Sequence, residues 1–336
     1  MNSKETDILN VILIILSLAL AFHLPFELFL FSYAFLGPLH YLTEINWLKE
    51  KNYFLKETKW IWLFVVMAFL VSTPLFLNLL SGTSLASFPG YKEVAAFMNK
   101  STDEIIMGSL LLAIGLIYFK KQKHLILFLL LASVVTITAL YYFPGMALVM
   151  AIFVPTIIHV YLFTLLFMIY GTVNSKSTPG VIAIVLLILV PFIIMASNVS
   201  TSEYFPLKES VVASFNGSNF GVLTFNLSHL FVSQQEGTFN FMSVLAIKTQ
   251  IFIAFAYTYH YLNWFSKTSI IGWNKNLSKS KTITILIIWG ISVALYLYEY
   301  KVGFIALLFL SLIHVFLEFP LNMTSIRGIV TKIRMK

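Results

Sequence analysis

The chain contains no cysteine. A disulfide framework, a thiolate metal site and a cysteine nucleophile are therefore excluded. Charge is almost as scarce: 11% of the 336 residues are Asp, Glu, Lys or Arg, against roughly 25% in a soluble globular domain. Closely spaced histidines are missing too. No two lie nearer than 17 residues apart, which removes the paired HxxH and HxxxH boxes of membrane desaturases and hydroxylases. HExxH is absent, and with it an intramembrane zinc protease built on that motif. No lysine falls in the middle of an apolar run, which argues against a retinylidene pigment. No glycine-rich loop is present to cradle a phosphate.

Apolar sequence dominates instead. Hydrophobic residues make up 59% of the chain, and runs of about 17 to 25 of them recur from end to end, each long enough to cross a hydrocarbon core of roughly 30 Å. The runs do not alternate in the manner of barrel strands, so the expected fold is all-α: a polytopic transmembrane helical bundle in one integral membrane domain, 1–336. Ten spans are predicted, near 8–22, 26–47, 60–80, 104–119, 124–143, 146–173, 180–197, 243–266, 281–298 and 302–320. Pro25 marks the turn between the first two, and Pro74, Pro155 and Pro191 lie inside spans, where each frees a backbone carbonyl.

The first run lacks a small-residue cleavage site and reads as a retained helix. With ten spans, 17 of the 22 lysines and arginines fall on the side that holds both termini, and five on the other. That asymmetry predicts cytoplasmic termini, as in a bacterial inner membrane protein. It also accounts for the net charge of +8 without a nucleic-acid partner. Two outer-face loops are long, 81–103 with a predicted interfacial helix and 198–242 as a predicted cap. No internal repeat is visible, which removes the best pointer to an inverted-repeat transporter.

Histidines break the apolar pattern at a common depth. His40 lies nine residues before Lys49, His260 seven before Lys267, and His314 six before Pro320. At about 1.5 Å per residue, each imidazole is expected roughly 10 Å inside the cytoplasmic boundary. Glu44 and Glu318 follow His40 and His314 by four residues, placing each pair on one helix face. His159, after Pro155, is the fourth candidate. His23, His124 and His229 fall at the opposite face or in loops. Intramembrane ionisable groups are costly and usually face the protein interior. Neutral imidazoles offer nitrogen lone pairs to a borderline divalent ion, iron foremost, with zinc or manganese as rivals. The glutamates act either as ligands or as groups that orient the imidazoles.

Two other readings stay open. The histidines can serve as interhelical hydrogen-bonders, or as proton relays with Glu44 and Glu318 in a transporter or proton-coupled channel. The 32 phenylalanines and 16 tyrosines line a tunnel for an apolar substrate or simply face lipid. Around His260, the run FAYTYHYLNWF places Tyr257 and Asn263 near the histidine's face, where they can orient ligands or substrate.

Three of these stretches resemble elements of the Brp/Blh family, integral membrane oxygenases that cleave β-carotene to retinal. GPLHYLTE is similar to its glycine- and proline-preceded His-x-x-x-Asp, with Glu44 in the acidic position. FAYTYHYLNW resembles its aromatic-rich stretch before a histidine, at His260, and LSLIHVFLEFP its last histidine, at His314. The resemblance implies iron ligation by His40, His260 and His314, with His159 as a further match; Glu44, Glu318 and Tyr257 are the candidate catalytic residues by their placement beside these histidines. It implies dioxygen chemistry on a carotenoid or similar long apolar substrate. The chain departs from the pattern at Trp264, where the family carries a second histidine, at Tyr41, where a glycine is usual, and by adding Glu318.

Overall fold

The computed structural model describes residues 2–143, 153–229, 243–272, 274–275 and 277–334. All regular structure among them is helical. Each predicted span falls on helix wherever it is described; the beginning of the sixth, 146–152, and the end of the outer loop, 230–242, lie outside the described residues. Seven described helices are long and apolar enough to cross a membrane, eight if the bent pair Tyr91–Lys100 and Thr102–Tyr118 counts as one span. These helices fit an integral membrane protein.

The chain divides into two compact units, each assembled from two stretches of sequence: Met1–His40 with Val160–Phe304, and Tyr41–His159 with Ile305–Lys336. In the first unit, α1 (Ser3–His23) begins with a capping box in which Asn2 and Glu5 satisfy one another's exposed groups. Its buried stripe is Thr6, Asn10, Ile14, Ser17 and Ala21. Steps of three and four keep that stripe on one face, and its small residues let a neighbour approach closely. Leu24 breaks the helix, and Pro25 opens α2 (Pro25–Phe31) at the first helical position, where its missing N–H costs nothing. A π-helical turn, Ser32–Leu36, follows and leads into α3 (Gly37–Glu50), whose first residues, through His40, belong to this unit.

The unit's centre is α12 (Val244–Ser266). It packs on α1, α2 and α9 (Thr178–Ala196) and is buried on nearly every face. Full burial explains its composition: the helix has no lipid-facing side to fill with aliphatic residues. Its polar groups find partners inside. Thr258 shares a 2.7 Å hydrogen bond with Ser32, and Gln250 accepts from Thr224 of α11 (Phe220–His229) at 2.9 Å. At the end of α12, Asn263 and Ser266 donate to the Asn10 side-chain oxygen at 2.7 and 3.2 Å, and Tyr259 reaches the same atom at 3.2 Å. By contrast, α9 buries Gly180, Ala183, Leu187, Val190 and Ile194 at steps of three and four, while Val181, Ile188 and Phe192 face outward. That is the pattern of a helix with one protein face and one lipid face.

The second unit contains the remainder of α3, then α4 (Ile61–Leu80), α5 (Tyr91–Lys100), α6 (Thr102–Tyr118) and α7 (Gln122–Tyr142). Between α6 and α7, a Cβ on Gly115 would meet Leu125 at 2.6 Å and Phe128 at 3.1 Å; only glycine permits this approach. The segment 81–103 contains the helix α5, and the described part of 198–242 contains α10 (Glu209–Gly217) and α11. A ten-residue π-helical segment, Val154–Phe163, carries His159 and continues directly into α8 (Thr164–Ser175). The last helix, α15 (Tyr300–Arg334), has 35 residues. At 1.5 Å per residue it is about 52 Å long, well beyond a hydrocarbon core.

Asn10 gathers three donors on one buried oxygen, so Asn10→Ala leaves Asn263, Tyr259 and Ser266 short of a partner. The expected loss is about 1–3 kcal/mol, read as a lower thermal midpoint in detergent. Ile12→Ala, at a residue 54% exposed on the opposite side of α1, serves as the comparison and is expected to change little.

Candidate metal centre

Each unit contains one close pair of imidazoles. In the first, His40 enters from the start of α3 and His260 from α12, both buried. Their Nε2 atoms are 3.1 Å apart, with ring centres at 4.7 Å and planes at 71°. In the second unit, His159 comes from the π-helical segment and His314 from α15. Their Nε2 atoms are 3.2 Å apart, with ring centres at 5.0 Å and planes at 76°.

These two sets of distances constrain how the rings point. A straight N–H···N bond at this separation would hold the ring centres about 5.4 Å apart, because each centre lies about 1.15 Å behind its nitrogen. Both pairs are closer than that, so their lone-pair axes meet at an angle. If each ring is radial to a common point, the ratio of the two separations puts that point about 2.2 Å from Nε2 in the first pair and about 2.0 Å in the second, where metal–imidazole bonds are about 2.0–2.1 Å. The angle at that point is then about 90° in the first pair and about 105° in the second, which suits neighbouring ligands on one ion. The same contacts also have the geometry of N–H···N hydrogen bonds.

The other ring nitrogens decide which Nε2 atoms carry lone pairs. Thr164 Oγ1 lies 2.8 Å from His260 Nδ1 and 2.8 Å from the Val160 carbonyl oxygen. A hydroxyl has one proton, and a carbonyl can only accept. The Thr164 proton therefore goes to Val160, and His260 donates Nδ1–H to Thr164. That leaves a lone pair on His260 Nε2. His159 Nδ1 lies 3.1 Å from a carboxyl oxygen of Glu318; an ionised Glu318 would draw the Nδ1 proton toward it and leave the His159 lone pair on Nε2. Donation of the second ring N–H to an oxygen is how metal-bound histidines are held in tautomer and orientation.

Aromatic rings enclose both pairs. Tyr261 and Trp264 sit 5.1 and 5.6 Å from His40, ring centre to ring centre. Tyr41 stacks on His314 at 5.3 Å with planes 30° apart. In the second unit the Glu44 and Glu318 carboxyls are both buried, Glu44 interacts electrostatically with His314, and Glu318 with Glu44. Two carboxyls in such a place keep their charge only beside a cation and are otherwise protonated.

All four predicted histidines are buried, two in each unit. Glu318 is placed against His159 rather than against its own motif partner His314. Tyr257 packs among Phe29, Tyr33 and Tyr261, with the Tyr261 ring between it and His40. Asn263 serves the Asn10 hub. Two residues had not been picked out from the sequence: Thr164, and Tyr41 as a stacking partner. Their signals were faint, a threonine four residues after Val160 and an aromatic next to a histidine.

No protein-family model, no curated protein and no solved structure matches this chain.

The tautomer assignment predicts a graded series in zinc or ferrous-ion affinity, read by competition with a chromogenic chelator. Thr164→Val, which removes the acceptor at Nδ1, and Glu318→Ala are each expected to weaken binding about 10–100-fold. Thr164→Ser restores most of the affinity. Glu318→Gln falls between, since its amide oxygen still accepts from His159 but brings no charge. Equal affinities across the series would overturn the assignment.

Proposed function

We propose that this protein is a metal-dependent membrane oxygenase in which His40, His159, His260 and His314 together hold one divalent ion, iron first, with zinc or manganese as alternatives. Its proposed substrate is a carotenoid or a similar long apolar molecule. The observation that supports the reading is the close approach of two buried imidazole nitrogens in each unit, at 3.1 and 3.2 Å, with His260 Nδ1 committed to Thr164. Two imidazoles alone make a weak site, whereas four make a strong one. Two of the three chain crossings between the units fall at histidines, His40 to Tyr41 within α3 and His159 to Val160 within the π-helical segment, and the third at Phe304 to Ile305 within α15.

The donor set fits the ion. Neutral imidazole suits iron and zinc, and the absence of thiolates removes the softer metals' usual ligands. Glu44 and Glu318 supply buried negative charge that a dication balances. Bound iron would supply redox chemistry toward dioxygen at coordination positions that four histidines leave open. The chain's own residues hold the imidazoles in register through Thr164 and Glu318, and Tyr41, Tyr261 and Trp264 keep the surroundings apolar and water-poor. The resemblance of GPLHYLTE, FAYTYHYLNW and LSLIHVFLEFP to elements of β-carotene-cleaving oxygenases supports the substrate class. Ten spans with both termini in the cytoplasm, as the lysine and arginine asymmetry suggests, complete the proposal, with a bacterial inner membrane as its location.

A second reading has one observation in its favour. The electrostatic contact between Glu44 and Glu318 is also what a proton relay needs. Proton flux through metal-free proteoliposomes, abolished by Glu318→Gln, would favour a channel or transporter over an oxygenase.

Protein purified without chelator is expected to carry about one transition-metal ion per chain, and His40→Ala and His314→Ala less than about a tenth of that, because a site of this kind rarely survives losing a ligand. Elemental analysis of the three proteins decides. Full occupancy in His40→Ala would reduce these contacts to packing. In cells that accumulate β-carotene, the wild type should bleach the pigment and both variants should not; bleaching without retinal would keep the oxygenase and move the cleavage position.

A further inference from the structure

The second unit carries a cationic cleft far along the sequence from its histidine pair, at the connections α3–α4 and α6–α7 and late in α15. Its volume is about 110 Å³, and Lys56, Lys120, Arg327, Trp60 and Gln122 contribute to its wall with Glu57. Glu57 is already committed, its carboxylate lying 2.6 Å from Lys59 Nζ. Among the described residues, none of Lys56, Lys120 and Arg327 has a carboxylate within ion-pairing distance. The Arg327 guanidinium reaches into the cleft, donating at 3.4 Å to the carbonyl of Ile117 on its wall. Three unbalanced cations around one small cleft repel one another unless an anion is present.

The cleft's other features suit the same ligand. Helix α7 starts at Gln122 with no side chain capping it, so its first N–H groups add donors beside Lys120. The same wall has apolar members, Leu55, Leu116, Phe119 and Leu125. Trp60 is on it too, a residue type enriched where membrane meets water. All three cations fall on the side that the positive-inside count assigns to the cytoplasm, where the leaflet carries anionic lipid.

We propose that this cleft is a phosphate-binding site and that its occupant is the phosphate of an anionic phospholipid. The three cations and the α7 N-terminus hold the phosphate, and the apolar wall takes the glycerol end of the acyl chains. A free phosphate group shares the charge but has no use for that wall, which favours the lipid. The proposal is independent of the histidine centre.

The test uses the full chain in detergent with added lipid, followed by native mass spectrometry. Phosphatidylglycerol is expected to be retained at least about tenfold better than phosphatidylcholine, since each basic residue near an anionic headgroup contributes about fivefold in affinity. Arg327→Gln should lose about fivefold, and the triple variant Lys56→Gln, Lys120→Gln, Arg327→Gln nearly all of the preference. Lys92→Gln with Lys100→Gln on α5 is the control and should bind like wild type. If the triple variant aggregates on size exclusion, the Arg327→Gln comparison decides. A parallel arm reads thermal stability in millimolar inorganic phosphate. Stabilisation lost in Arg327→Gln, with no lipid preference, would keep the phosphate site and assign it to a soluble ligand. No preference for phosphatidylglycerol and no response to phosphate, or an unchanged preference in a folded triple variant, would overturn the proposal.

Discussion

An imidazole has two nitrogens, and the proton on one leaves the lone pair on the other. That constraint governs the histidine centre. Thr164 accepts from an Nδ1–H at 2.8 Å and so turns His260 into a lone-pair donor at Nε2. It cannot trade roles, because its own proton is held by Val160. Across 3.1 Å that lone pair faces His40 Nε2, where an N–H of His40 or a cation can meet it. Glu318 lies 3.1 Å from His159 Nδ1 and, when ionised, would fix the second pair in the same way.

Positioning of these groups depends on backbone that departs from the α-helix. One π-helical turn ends at Leu36, four residues before His40, and the longer π-helical segment contains His159. Such segments widen the helix locally and change the direction in which later side chains point, and they concentrate at functional sites. Pro155, second in the longer segment, removes an N–H that an α-helix would need. The cost of loosened backbone hydrogen bonding inside an apolar bundle is offset by rigid surroundings. Chief among these is α12, whose burial on almost every face and hydrogen bonds to Ser32 and Asn10 hold His260 in place.

Much of this was legible in the sequence, for identifiable reasons. Apolar runs separated by lysines marked the helices, because a hydrocarbon solvent tolerates nothing else. Histidines in such runs marked themselves, because intramembrane polar groups are expensive. The pairing was not legible. A His-x-x-x-Glu spacing puts both side chains on one face, but Glu318 sits a full turn beyond His314 and reaches across to His159. Thr164 was hidden for a related reason. Its bond to Val160 is the ordinary i−4 bond of a helical threonine, and only the approach of α12 gives it a second role. The π-helical segments left no periodic trace, since they shift the pattern by a fraction of a turn. Asn263 is expected from the sequence to orient ligands or substrate beside His260, yet its partner is Asn10, 253 residues away.

X-ray absorption on iron- or zinc-loaded protein tests the central claim most directly, because it sees the ligand atoms without reference to catalysis. The account predicts about four nitrogen scatterers at roughly 2.0–2.2 Å, with the outer-shell multiple scattering of imidazole. A first shell of oxygens without imidazole features would contradict it.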